Sequence, residues 1–180
     1  CSRVSFYATL LANRINLTLA EQKSLALGAF LHDIGKIGPE TYQFADDEIA
    51  VTGESVGSRQ HPEQGAKLVL PLGLPAEVGQ IIAYHHERWD GSGYPFGLQE
   101  EGIPQLARIV GLAQTFDHLT AELPGRAPLS IDDACQQMLS YAGTHFEPKL
   151  TELFSRVVQE CKASLPAMAM ATTPTDRSDS

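Results

Sequence analysis

Apolar residues recur at three- and four-residue spacing along most of this 180-residue chain, and alternating strand-like stretches are scarce. That pattern predicts an all-α fold. Residues 3–16 open in helical phase, with no cap before them. Thr18-Leu19-Ala20-Glu21 has the form of a capping box, so a helix is predicted from there to about His32 or Asp33. The stretch from Gly38 to Ser58 is polar and mixed and reads as a loop with room for one short helix. Pro62 follows His61 where a helix would start, ending near Pro71-Leu72-Gly73, and Pro75 opens another that runs to His85. Trp89 to Pro95 can only be turns. Pro104 then opens a long helix to about Glu122, and Ser130 and Glu147 begin two more. The sum is a bundle of roughly seven helices. From Ser164 the composition shifts to Ala, Pro, Thr, Ser and Asp, which predicts one domain over 1–163 and a disordered tail over 164–180.

Composition narrows the class. With 43% hydrophobic and 19% charged residues the chain reads as a globular domain, and no apolar run approaches the ~18 residues of a membrane span. The first residues lack the pattern of a secretory signal. Cys1, Cys135 and Cys161 are odd in number and widely spaced, which argues against a disulfide framework or a thiolate zinc site and fits a reducing cytoplasm. A net charge of −9 excludes non-specific binding to a nucleic-acid polymer, which needs a basic footprint. A small phosphorylated substrate stays admissible, met locally by cations and a few Lys or Arg side chains.

Candidate chemistry lies in the histidines. Of six, four fall into three compact groups: His32-Asp33, His61-Pro62-Glu63 and His85-His86. Imidazole and carboxylate without thiolate suit iron, manganese, zinc or nickel better than calcium or magnesium. Adjacent residues diverge by about 100° on an ideal helix, so a dyad serves one metal site best where a helix ends. Gly35 and the turn after His86 supply such ends. Either dyad alone reads as a helix-end polar pair; the two together, with His61 between them, point to a metal cluster. Such clusters serve phosphoester hydrolysis, where one or two cations activate water and stabilise charge on the phosphoryl oxygens. Asp33 is the natural bridging ligand.

Three motifs in order carry a resemblance. His32-Asp33-Ile34-Gly35-Lys36-Ile37-Gly38, His61-Pro62-Glu63 and His85-His86-Glu87-Arg88-Trp89-Asp90-Gly91-Ser92-Gly93-Tyr94-Pro95 resemble the successive signatures of HD-GYP domains. The likeness runs from Arg3-Val4 to Gly143-Thr144-His145-Phe146-Glu147-Pro148. It implies an HD-type bundle with a histidine/aspartate metal site between helices, holding iron or manganese as one or two divalent ions. His32, Asp33, His61, His85 and His86 would be the ligands, with Asp33 bridging. Lys36 would act at the scissile phosphate, stabilising charge or protonating the leaving oxygen. Gly93, Tyr94 and Pro95 would form the lip of a cleft and a contact surface for protein partners. The implied activity is hydrolysis of cyclic di-GMP to linear pGpG, with GMP as a further product left open, under an upstream regulatory domain.

The chain also departs from the family. The resemblance places the family's first metal histidine one position before Cys1. Gln114 stands where the long helix normally carries an aspartate ligand, with Asp117 and His118 three and four positions on. Asp117 is thus a substitute ligand or, on the blander reading, an ordinary aspartate bonded within the bundle. Leu123 replaces a usual basic residue, and Arg126 keeps a second basic position for the substrate phosphates. These changes favour a competing reading, a degenerate module that binds cyclic di-GMP or a partner without turnover. A general HD phosphohydrolase for other nucleotides is a third, disfavoured by the intact Gly-Tyr-Pro run. His145 reads as part of a turn and Trp89 as an anchor of its loop.

Overall fold

Thr18 closes its capping box as the sequence predicts: its hydroxyl accepts the Glu21 backbone N–H at 3.3 Å, and the Glu21 carboxylate accepts the Thr18 N–H at 2.7 Å. The computed structural model describes residues 1–37, 59–123 and 125–162. Seven α-helices run through them: α1 Ser2–Ala12, α2 Leu19–Leu31, α3 His61–Val69, α4 Ala76–Tyr84, α5 Gln105–Thr120, α6 Ile131–Ser140 and α7 Pro148–Glu160. Short 3-10 turns cover Ile34–Ile37, Leu70–Leu72 and Glu100–Gly102. The expected loop over Gly38–Ser58 and tail from Ser164 lie outside the described residues.

Most boundaries fall where local chemistry sets them. Ser130 caps α6 by accepting the Asp133 N–H at 3.1 Å, and Pro148 sits in the first turn of α7. The first helix is the exception. Its apolar phase extends to about residue 16, yet α1 stops at Ala12, and Asn13 to Asn16 form turns. Two asparagines in four residues favour that, since their side chains compete with the helical backbone. The chain must also reverse there to reach Thr18.

α1 packs on α2 and α5, α2 on α4, α3 on α4 and the Ile34–Ile37 turn, and α6 on α7. The main core gathers Tyr7, Leu11, Leu25, Ile81, Ile109, Phe116, Met138 and Phe154. Tyr7 and Phe154 meet the Phe116 ring edge-on, with centroids 5.0 and 5.4 Å away. A smaller core of Val69, Val78 and Ile82 joins α3 to α4 beside Leu31 and Ile34. The two cores hold the end of α2, the start of α3 and the end of α4 together. No helix among the described residues is long and apolar enough to cross a membrane.

Candidate metal centre

Three helix termini deliver the histidines. His32 caps the C-terminus of α2, with Asp33 just beyond; His61 is the first residue of α3; His85 caps α4 and His86 follows. The dyads therefore lie where the helical repeat has ended, and their side chains can turn to a common point. Gly35 makes the approach feasible: a Cβ there would sit 2.1 Å from the His61 carbonyl oxygen and 2.6 Å from the Gly65 nitrogen. Any side chain would push the Ile34–Ile37 turn off α3 and part Asp33 from His61.

Asp33, His61, His85 and His86 each present one ligand atom, all within 4.8 Å of one another. His61 Nε2 lies 3.3 Å from His85 Nε2, 3.2 Å from His86 Nε2 and 3.3 Å from Asp33 Oδ1. The Lys36 ammonium is 2.9 Å from the same oxygen, while Oδ2 faces His32 Nε2 at 3.4 Å. The two oxygens of Asp33 thus serve different neighbours, Oδ2 facing His32 and Oδ1 facing His61 and Lys36.

Backbone carbonyls set the tautomers. His32 Nδ1 is 2.7 Å from Ala29 O, and His85 Nδ1 is 2.9 Å from Ile82 O. A carbonyl only accepts, so each Nδ1 carries the proton and each Nε2 presents a lone pair inward. Burial pushes the pKa of His32, His85 and His86 below the usual histidine value, and neighbouring positive charge pushes His85 and His86 further the same way. Burial would raise the Asp33 carboxyl, but its bond to His61 and its nearness to His32 and Lys36 together hold it well below the carboxylate range. Inward lone pairs on imidazoles kept neutral, around an ionised carboxylate, form a donor set that fits a divalent metal ion.

The loop after His86 folds back over the site. The Glu87 carboxylate, buried, accepts the backbone N–H of Phe96 at 2.7 Å and of Leu98 at 2.9 Å. A Cβ on Gly93 would meet Arg88 N at 2.3 Å, so the loop can close only with glycine there. Tyr94, joined to Pro95 by a cis bond, lays its ring on His86, with centroids 4.7 Å apart and planes 15° apart. Trp89 is an anchor, as expected: its N–H donates to His145 O at 3.1 Å, and the Arg108 guanidinium lies 5.5 Å from its ring centre.

The HD domain family matches residues 1–150. The chain belongs to the HD domain family. Its motif run resembles that of HD-GYP members. A 3'3'-cGAMP-specific phosphodiesterase of Vibrio cholerae is 32% identical over 91% of this chain and 32% of its own length. A cyclic di-GMP phosphodiesterase of Thermotoga maritima is 32% identical over 88% of this chain and 44% of its own length. The domain therefore spans less than half of either relative. The crystal structure of a cyclic GMP-AMP-specific phosphodiesterase of V. cholerae superposes with a TM-score of 0.72 at 22% identity, over 97% of this chain and 49% of that one. It shares the fold.

Other residues singled out in the sequence lie elsewhere in this HD domain. Asp117 pairs with Arg3 on α1, Oδ1 to Nε 2.6 Å, and so ties two helices together. Arg126 is exposed and donates to the His118 carbonyl near the C-terminal end of α5, beside its bridge to Leu123. His145 packs against Tyr141, with ring centres 4.6 Å apart. Gln114 is partly buried one turn beyond Gly111, whose Cβ position lies 2.9 Å from the His85 carbonyl. It therefore stands on the face of α5 that approaches the end of α4. Two contributors went unassigned in the sequence. Glu87 sits inside the recognised run, where a carboxylate beside two histidines was the available signal. Arg59, with its guanidinium 5.5 Å from the Tyr94 ring centre, carried none.

Proposed function

We propose that this HD domain is the catalytic part of a metal-dependent phosphodiesterase that hydrolyses cyclic di-GMP to linear pGpG. The observation that carries the reading is the meeting of Asp33, His61, His85 and His86 within 4.8 Å, with the Lys36 ammonium beside Asp33. These four residues and His32 would hold iron or manganese, as one ion or two. A bound divalent ion supplies Lewis-acid charge to the phosphoryl oxygens and lowers the pKa of water. Asp33 suits a shared position because its two oxygens face different histidines. Hydrolysis breaks one P–O ester bond, leaving a terminal phosphate on one side and a hydroxyl on the other. Lys36 adds positive charge at the phosphoryl oxygens or gives the leaving oxygen its proton. Gly93, Tyr94 and Pro95 form the lip over the centre, and Arg126 offers a further cation to the phosphates. A protein partner at that lip and an upstream regulatory domain belong to the same reading. So does a cytoplasmic setting, where free Cys1, Cys135 and Cys161 stay reduced.

The test is product chromatography on cyclic di-GMP and on 3'3'-cGAMP, with manganese or iron, alongside metal content per chain. Linear pGpG from cyclic di-GMP is expected. Turnover of 3'3'-cGAMP alone would move the substrate, and no turnover of either would refute the enzyme.

A second reading, a non-catalytic binding module, draws on Gln114, a neutral amide where a carboxylate would hold metal more firmly. Gln114→Asp is expected to raise metal content and hydrolysis together, by atomic absorption and product assay. If neither changes, the missing charge does not limit this domain.

A further inference from the structure

His86 is set among other rings. His32 and His85 have their planes set by carbonyls of their own helices. His86 lies past the end of α4, in the turn that leads to the loop, and its ring is enclosed by other rings. His85 is tilted against it at 4.2 Å between centres, and Tyr94 stacks on it at 4.7 Å and 15°. The Tyr94 backbone N–H also donates to the His86 carbonyl, at 3.2 Å, so loop and histidine are joined by main chain as well as by ring. Tyr94 in turn lies under the Arg59 guanidinium at 5.5 Å, and Arg59 stands two residues before His61. Arg59, Tyr94 and His86 therefore form a continuous stack from the entrance of α3, across the Gly-Tyr-Pro loop, to a nitrogen that meets His61 at 3.2 Å.

We infer that Tyr94, capped by Arg59, is a positioning residue for His86, so that the Gly-Tyr-Pro loop controls how tightly the centre holds its metal. The inference rests on the reading of His86 as a metal ligand, and extends it. A ligand histidine binds well only when its lone pair is held on the metal's side, and groups that fix ring orientation govern affinity without touching the ion. A near-parallel aromatic face restricts rotation of the imidazole about its Cβ–Cγ bond. A cation against the Tyr94 ring restrains that ring in turn. Whatever shifts the loop, a bound partner or a substrate at the lip, would then change metal affinity through this stack. That gives the loop a role beyond shaping the cleft.

The experiment measures manganese affinity of the 180-residue chain by calorimetry, and the visible spectrum of its cobalt-loaded form, which reports ligand geometry. Tyr94→Phe keeps the ring and is expected to match the wild type in both. Tyr94→Leu removes the stack and is expected to weaken affinity roughly 10–100-fold, the range for groups that orient a ligand, and to alter the cobalt spectrum. Arg59→Ala, at an exposed position that cannot compromise folding of the core, is expected to weaken it about 2–5-fold, with Arg59→Lys recovering part of the loss. Wild-type affinity and spectrum in both Tyr94→Leu and Arg59→Ala, with metal still bound, would overturn the inference alone. A wild-type chain that takes up neither manganese nor cobalt would overturn the metal reading and the inference with it.

Discussion

Lys36 and Asp33 make an ion pair at 2.9 Å, but the lysine is two-fifths exposed while the aspartate is largely enclosed by histidines. That asymmetry separates their roles. Asp33 also faces His32 and His61, whereas on the proposed reading Lys36 would meet the incoming phosphate. Removing it should therefore spare the ligand set. Lys36→Ala is expected to cut turnover roughly 10²–10³-fold, as for loss of one charge-stabilising donor, with metal per chain unchanged. Steady-state kinetics with metal analysis checks this, and loss of metal in step with rate would make Lys36 a structural counter-charge instead. At the same scale Asp117 pairs with Arg3. In sequence it could serve as a substitute ligand or as a bundle aspartate, and its 2.6 Å pair with Arg3 engages its carboxylate between α1 and α5.

At the scale of elements, the site is an assembly of ends rather than faces. Helices α2, α3 and α4 contribute their termini, and the Ser92–Phe96 loop closes over them, held by one buried carboxylate. Glu87 takes two backbone N–H groups that the loop cannot pair within itself. Glu87→Ala leaves both without that acceptor in a part-buried setting, and is expected to lower stability by about 1.5 kcal/mol in denaturant unfolding. Glu87→Gln, which keeps one acceptor oxygen, is expected to lie between. Wild-type stability in Glu87→Ala would show that water replaces the carboxylate freely and that the loop needs no clamp. The turns were legible in sequence because Asp90-Gly91, Ser92-Gly93 and Tyr94-Pro95 all disfavour a helix. The clamp was not, because it joins Glu87 to residues whose amides could have faced anywhere.

For the whole molecule, the buried imidazoles make stability depend on pH. His32, His85 and His86 have folded pKa values below the usual histidine value, chiefly through burial, and Asp33 lies below its own usual value. Folding thus disfavours protonation at all four. Their contribution is fully present above about pH 6.5 for the histidines, and is lost as pH falls and the unfolded state takes up protons that the folded state refuses. The melting temperature of chelator-treated protein is expected to hold near pH 7–8 and to fall steadily below about pH 6.5. A flat profile down to about pH 5 would mean that these imidazoles charge without cost.

The sequence by itself determined the helices, their caps, the helix-end placing of the two dyads and the family, because each depends on residues within a few positions of one another: a 3.6-residue period, Thr18 with Glu21, a contiguous eleven-residue run from His85 to Pro95. Only the tertiary structure decided which way the two oxygens of Asp33 face, that Asp117 belongs to Arg3, and that Arg59, Tyr94 and His86 share a stack. Those pairings cross between elements. They are set by how helices pack around Phe116 and Ile82, which no local pattern encodes.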